Sequence, residues 1–228
     1  MDKIIKNKNI YIQFDPGAIH NFTDKLFNID YISKEGLIKS SMDGRNKALE
    51  ISYQNNCYFL KHYARGGFVS KISKDRYIFS NLASTRSLKE YNLLKQMHED
   101  GLPVPKPAAL RVIYNRFTYK TDLLTCKVPN QGTLYQMIVN NKMNDVLWQS
   151  LKKTLIFFSE KNIYHFDLNS KNIILSEDNK FFLLDFDKSF FTDNKKIFIK
   201  SIYRLERSLK KIKNYQDEFK DAIYEFIR

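Results

Sequence analysis

Two aspartates and an asparagine stand inside the most apolar part of the chain, in YHFDLNSKNIILSEDNKFFLLDFDKSF, residues 164–190. Asp167 follows His165 and Phe166, Asn172 comes five residues after it, and Asp185 opens the tripeptide Asp185-Phe186-Asp187. An ionised carboxylate is costly to bury unless it is paired or binds a metal. Ile173-Ile174-Leu175 and Phe181-Phe182-Leu183-Leu184 read as short buried strands, joined by a turn at Ser176-Glu177-Asp178-Asn179. Such a hairpin returns Asp185 to Asn172 and Asp167, so three oxygen-bearing side chains converge at one end of an apolar layer. A hard cation resolves the repulsion among them. Mg²⁺ takes oxygen ligands and is commonly held by one or two carboxylates together with substrate phosphates. The spacing therefore points to metal-assisted phosphate chemistry. The competing reading is a set of turn aspartates that cap strands. It suits a lone Asp better than the ordered set His165, Asp167, Asn172, Asp185.

The elements that position this set divide the chain into a strand-rich and a helix-rich half. NIYIQF (9–14) predicts a strand. LEISY and CYFLKHY flank Gln54-Asn55-Asn56 and predict a hairpin with an Asn-rich turn. SLKEYNLLKQMHEDG (87–101) predicts a helix, with Ser87 and Glu90 at capping-box spacing and Tyr91, Leu94 and Met97 on one face. LPVPKP (102–107) cannot continue that helix and predicts an extended connector. A second hairpin is expected over 112–128, turning near Asn115, then a short helix at TLYQMIVNN. A long amphipathic helix follows over 144–162, with Val146, Leu147, Leu151, Leu155 and Phe158 facing inward. The C-terminal region reads as helical, with Leu205, Leu209 and Ile212 on one face. The expected fold class is α+β in two lobes. Residues 1–128 form an antiparallel sheet with one helix, and 1–35 extend it at the N-terminus. Residues 129–228 are mainly helical.

Residue types and order together carry a resemblance. HFDLNSKN resembles the protein-kinase catalytic loop H-R-D-L-x-x-x-N, and Asp185-Phe186-Asp187 resembles D-F-G. The resemblance implies ATP as phosphate donor and Mg²⁺ as its partner ion. It gives Asp167 the acceptor hydroxyl, and Asn172 and Asp185 the metal. An unperturbed Asp, with a pKa of about 3.9, is a feeble base. Asp167 is thus expected to orient the hydroxyl and take its proton late. Lys61, on a predicted strand, and Glu90, on the next helix, match the kinase strand lysine and helix glutamate, with Glu50 and Glu99 as weaker rivals for the pairing. No GxGxxG exists, and Gly44 with Arg45 is the only candidate for a phosphate-covering turn, reading equally as an ordinary turn. Asp187 replaces the glycine of D-F-G and removes its backbone freedom, so a fixed loop without a flip is expected. Nothing resembling A-P-E follows, which leaves no room for a peptide-binding segment and favours a small-molecule or glycolipid acceptor.

LKHYARGGFVSKISKDRYIF (60–79), TRSLKEYNLL (85–94), GLPVPKPAAL (101–110), YKTDLL (119–124) and YHFDLNSKNIIL together resemble the bacterial 3-deoxy-D-manno-octulosonic acid (Kdo) kinases, of the lipopolysaccharide kinase family. That resemblance implies phosphorylation of a Kdo hydroxyl, the 4-OH, on a lipid A precursor at the cytoplasmic face of the inner membrane. Arginine is expected often to stand where Lys61 stands. Arg65, Lys71 and Arg76 are candidates for the Kdo carboxylate, beside a reading as plain surface charge. A heptose kinase of the same group and a small atypical Ser/Thr protein kinase are the alternatives.

Net charge is +13 in 228 residues, with 38 Lys and Arg against 25 Asp and Glu. Such a field attracts polyanions. Lys195, Lys196, Lys200, Arg204, Arg207, Lys210, Lys211 and Lys213 form a basic block that suits an anionic glycolipid and peripheral contact with a membrane surface. The same block reads equally as the solvated face of a packed helix. No nucleic acid is expected; a nucleic-acid binder would be indifferent to Asp185. Cys57 and Cys126 form no CxxC and predict free thiols. The first residues carry no apolar run of signal-peptide length, and no window reaches the roughly 18 apolar residues of a spanning helix.

Overall fold

Alternating apolar and polar residues make the first half a sheet. In a computed structural model, residues 1–41, 48–64 and 75–217 are described. The chain divides into two compact units, Met1–Lys95 with Lys106–Lys127, and Gln96–Pro105 with Val128–Arg228.

In the first unit, β1 (Lys3–Asn7) and β2 (Ile10–Phe14) form a hairpin, followed by a single helical turn and α1 (Ile29–Lys34). Then come β3 (Ile38–Ser41), β4 (Ala48–Tyr53), β5 (Asn56–His62), β6 (Tyr77–Ile78) and α2 (Arg86–Glu99). β7 (Pro107–Tyr114) and β8 (Thr118–Cys126) complete it. The strands lie in the order β1-β2-β7-β8-β5-β4-β3, with β6 also on β8, and every pairing is antiparallel. The β4–β5 turn places Gln54 and Asn55 at φ +49° and +63°, the left-handed pair that a two-residue hairpin turn requires. The β7–β8 turn is held by Asn115, whose Oδ1 accepts from the Phe117 and Thr118 amides at 2.9 and 2.7 Å. Residues 1–35 belong to this unit: Tyr11 stands opposite Val112, and Ile12, Ile19, Leu26, Phe27 and Ile32 share a core with Ile51, Tyr58, Leu60 and Leu124.

The capping box expected at the start of α2 is absent. The helix begins one residue earlier, and Ser87 lies inside it, with its hydroxyl bonded to that of Thr121. Glu90 is drawn to a lysine instead. Tertiary partners have outcompeted the local cap.

The second unit contains β9 (Asn130–Thr133), α3 (Leu134–Val139), α4 (Asp145–Glu160), β10 (Ile163–Tyr164), β11 (Ile173–Ser176), β12 (Phe181–Leu183), β13 (Phe190–Phe191) and α5 (Lys195–Leu209). A Thr133–Gln136 capping box starts α3, and Asn144 caps α4 by accepting from the Leu147 amide. Leu147, Trp148, Leu151, Leu155 and Phe158 are the buried stripe of α4. Val146, expected inward, is 76% exposed, because the stripe takes in Trp148 on the other side of Leu147. β12, β11 and β9 form a small antiparallel sheet, and β10 pairs with β13. The fold is α+β, as expected.

Candidate active site

In the first unit, β5 and α2 supply an ion pair. Lys61 Nζ donates to Glu90 Oε1 and Oε2 at 3.1 and 2.9 Å. The lysine and glutamate side chains are 13% and 4% exposed. The Tyr63 hydroxyl donates to Glu90 Oε2 at 2.5 Å, and its ring lies 4.7 Å from Lys61 Nζ. A carboxylate is costly to bury this deep without such partners. The rival Glu50 is engaged elsewhere, with Lys127 Nζ at 2.7 Å and the Ser40 hydroxyl at 3.0 Å.

In the second unit, the loop from His165 to Asn172 is fixed by its own side chains. The Asp167 amide donates to His165 Nδ1 at 3.2 Å. The ring proton is thereby on Nε2, which lies 2.9 Å from the Leu184 carbonyl. Asn169 and Asn172 both donate through Nδ2 to the Asp167 carbonyl, at 3.0 and 2.9 Å. Asn169 Oδ1 also accepts from the Lys171 amide. The bond from Nδ2 fixes the Asn172 amide plane, and Oδ1 is its acceptor oxygen. The Leu184 amide donates to the Asn172 carbonyl at 2.8 Å, and Ile173 pairs with Leu183. Asp185 therefore leaves β12 at the end of the hairpin where Asn172 enters β11. It does so at φ +61°, a left-handed conformation that costs an L residue of order 1 kcal/mol and that Asp tolerates better than most. Phe186 is fully buried, stacked on Phe158 with centroids 6.0 Å apart, and its ring lies 4.6 Å from that of His165.

Helix α5 holds the loop from outside. Ser201 Oγ donates to the His165 carbonyl at 2.9 Å and accepts from its amide at 3.2 Å. Ser208 Oγ accepts from the Ser170 amide at 3.0 Å. Between them Arg204 Nη1 reaches Asp167 Oδ1 at 3.4 Å. The Asp167 side chain remains half exposed beside this contact. Asn169, Ser201 and Ser208 had no assigned role in the sequence, and Arg204 was read there only as part of the basic block. The signal available was the spacing of 201, 204 and 208, which puts two serines and an arginine on one side of a helix.

Gly44, Arg45, Arg65 and Lys71 lie outside the described residues. Arg76, in the first unit, donates to Thr118 Oγ1 at 3.3 Å. Among the described residues, no group of three or more His, Cys, Asp or Glu side chains is arranged to hold a metal ion. The candidates for the metal, Asn172 and Asp185, have a different make-up, one amide oxygen and one carboxylate. Both are hard oxygen donors, and a set this small suits a Mg²⁺ whose other ligands are phosphate oxygens and water.

A sequence model of the Lipopolysaccharide kinase (Kdo/WaaP) family matches residues 31–226. A 3-deoxy-D-manno-octulosonic acid kinase of Mannheimia succiniciproducens is 33% identical over 95% of this chain and 94% of its own length. The enzyme of the same name from Vibrio cholerae is 30% identical over 88% and 85%, and that of Actinobacillus succinogenes 35% over 72% and 71%. Among solved structures, the PK-1 kinase of the Cydia pomonella granulovirus is similar at a TM-score of 0.48 and 15% identity, over 73% of this chain and 57% of that one.

Proposed function

Since the chain belongs to the lipopolysaccharide kinase (Kdo/WaaP) family, we propose that it is an ATP-dependent kinase whose acceptor is Kdo. The observation that carries this reading is the extent of the family match, which takes in both the Lys61–Glu90 pair and the loop holding Asp167, Asn172 and Asp185.

The finer assignment is that the phosphoryl group goes to the 4-OH of the Kdo residue on a lipid A precursor. Lys61, held by Glu90, binds the ATP phosphates; Gly44 and Arg45 are the candidates to cover them. Asp167 orients the acceptor hydroxyl and takes its proton as the new bond to phosphorus forms. Asn172 and Asp185 would hold Mg²⁺, which when bound neutralises charge on the phosphates. His165 and Asn169 keep the Asp167 backbone in place. Catalysis of this kind is mainly positioning and charge neutralisation.

The enzyme works as a peripheral protein at the cytoplasmic face of the inner membrane. No helix among the described residues is long and apolar enough to cross a membrane. Lys196, Lys200, Arg207, Lys210, Lys211 and Lys213 are exposed on α5 and just beyond it, which supports contact with an anionic surface.

The test offers the purified protein ATP, Mg²⁺ and three acceptors: Kdo-bearing lipid A precursor, a heptose-bearing core and a generic Ser/Thr substrate. A mass gain of one phosphate on the Kdo acceptor supports the reading. Transfer to heptose alone, or to protein alone, replaces it with the corresponding alternative.

A further inference from the structure

The register of α5 on the loop puts a cationic group beside Asp167. Ser201 and Ser208 lock the helix to the backbone of His165 and Ser170, so Arg204 is held over the residues between them. Its Nη1 is 3.4 Å from Asp167 Oδ1, and its guanidinium carbon is 5.7 Å from the centroid of Phe166. Lys188 arrives from the other side of the sequence. Its backbone is left-handed, at φ +63°, and its Nζ lies 4.9 Å from the same ring. The Phe166 amide donates to Ser189 Oγ at 3.0 Å, and the Ser189 amide to the Phe186 carbonyl at 2.9 Å. The ring and Lys188 are therefore tied together through Ser189 and Phe186, and Arg204 is tied to the same loop through α5. Phe166 is 37% exposed, so the group faces outside.

The Arg204–Asp167 contact does not by itself explain this arrangement. The two side chains are 39% and 51% exposed. A pair this open contributes about 0–1 kcal/mol. It also leaves most of the guanidinium's five donors for another acceptor. A carboxylate brought in by a ligand would displace water from an apolar ring flanked by two cations, where charge pairing is stronger than in open solvent.

We infer that Arg204 and Lys188 form the subsite for the acceptor's carboxylate and so aim its hydroxyl at Asp167. This rests on the acceptor being the sugar acid proposed above, whose carboxyl is ionised at neutral pH. In one sugar ring the carboxylate is never more than a ring's width from a hydroxyl. With the hydroxyl at Asp167, the carboxylate falls within reach of cations anchored on the adjoining residues. The planar fork of Arg204 matches a carboxylate bidentately, and Lys188 adds a point charge. A neutral sugar would bring no carboxylate to the donors that Arg204 does not spend on Asp167, so the subsite selects sugar acids over neutral sugars.

The test is a cycle between enzyme and acceptor. Wild type, Arg204→Gln, Arg204→Lys and Lys188→Gln are assayed on the Kdo-bearing acceptor and on its carboxylate methyl ester. On the acid, Arg204→Gln should raise the acceptor KM about ten- to a hundredfold, the loss of a charged hydrogen-bonded pair, with the KM for ATP unchanged. Arg204→Lys should recover part of the loss. On the ester, wild type and Arg204→Gln should agree within about twofold, because the partner is already gone. Equal losses on acid and ester would overturn the subsite and reduce Arg204 to a support for Asp167. Lys188→Gln, at an exposed turn, carries the same comparison if Arg204→Gln does not fold. A wild type inactive on both acceptors would overturn the acceptor assignment together with the subsite. An active wild type with equal losses would overturn the subsite alone.

Discussion

Glu90 receives three hydrogen bonds, two from Lys61 and one from Tyr63, while nearly excluded from water. Removing the lysine leaves a buried carboxylate with one tyrosine hydroxyl, and breaking a buried pair from one side costs about 3–5 kcal/mol. Lys61→Met should accordingly lower the urea midpoint, whereas Lys61→Met with Glu90→Leu should recover much of the loss. A single variant as stable as the double would show that the carboxylate is not under that constraint. At this scale the sequence offered residue types but few partners. Lys61 and Glu90 could be paired from it only by resemblance, since 29 positions separate them. The return of the chain at Asp185 to the level of Asn172 was readable because the β11–β12 hairpin is local. Ser201 and Ser208 were not, because a helical pattern shows which residues share a face and never what that face meets.

Among the elements, the strand pairs with short turns were written in the sequence by alternation and by turn residues that accept positive φ. The joining of β2 to β7 was not, since nothing local distinguishes one edge partner from another. The error at Val146 has the same source: a stripe one residue too wide on one side fits the period as well as the correct one. Element pairing also sets a pH dependence. His62 on β5 stands 2.6 Å, Nδ1 to Oδ1, from Asp122 on β8, and Asp122 also pairs with Arg111 on β7 at 2.8 Å. The hydrogen bond to Asp122 raises the His62 pKa above its ordinary value, against the opposing effect of burial; the charges of Asp122 and Asp75 add to the rise and that of Lys120 subtracts from it. A folded pKa above the unfolded one means that the protonated pair stabilises fully below about pH 6.5. That contribution is lost as pH rises through the folded value. The stability difference between wild type and His62→Gln, measured by urea unfolding from about pH 6 to about pH 9, should therefore shrink with pH. A difference that grows with pH would reverse the assigned sign.

For the whole molecule, the excess of 13 positive charges is not evenly useful. The exposed lysines and arginine of α5 and its end lie on a helix whose opposite stripe, Phe198, Ile202, Leu205 and Leu209, is buried. The two readings of the basic block are thus compatible, one face packed and the other available. Binding to vesicles containing anionic lipid should be measurable by co-sedimentation and fall steeply with salt, since exposed charges are screened over about 10 Å at 0.1 M. Equal binding to neutral vesicles would remove the electrostatic account. The central claim is that two carboxylates and one amide on the β11–β12 hairpin and its preceding loop carry phosphoryl transfer to Kdo. Its most direct test is the rate of phosphate transfer from ATP to the Kdo-bearing acceptor by wild type, Asp167→Ala and Asp185→Asn, each checked for an unchanged melting transition. Asn accepts the left-handed backbone at 185, so that variant should fold normally. The account predicts transfer by wild type and a loss of about a hundredfold or more in both variants. Transfer by Asp185→Asn at the wild-type rate would contradict it.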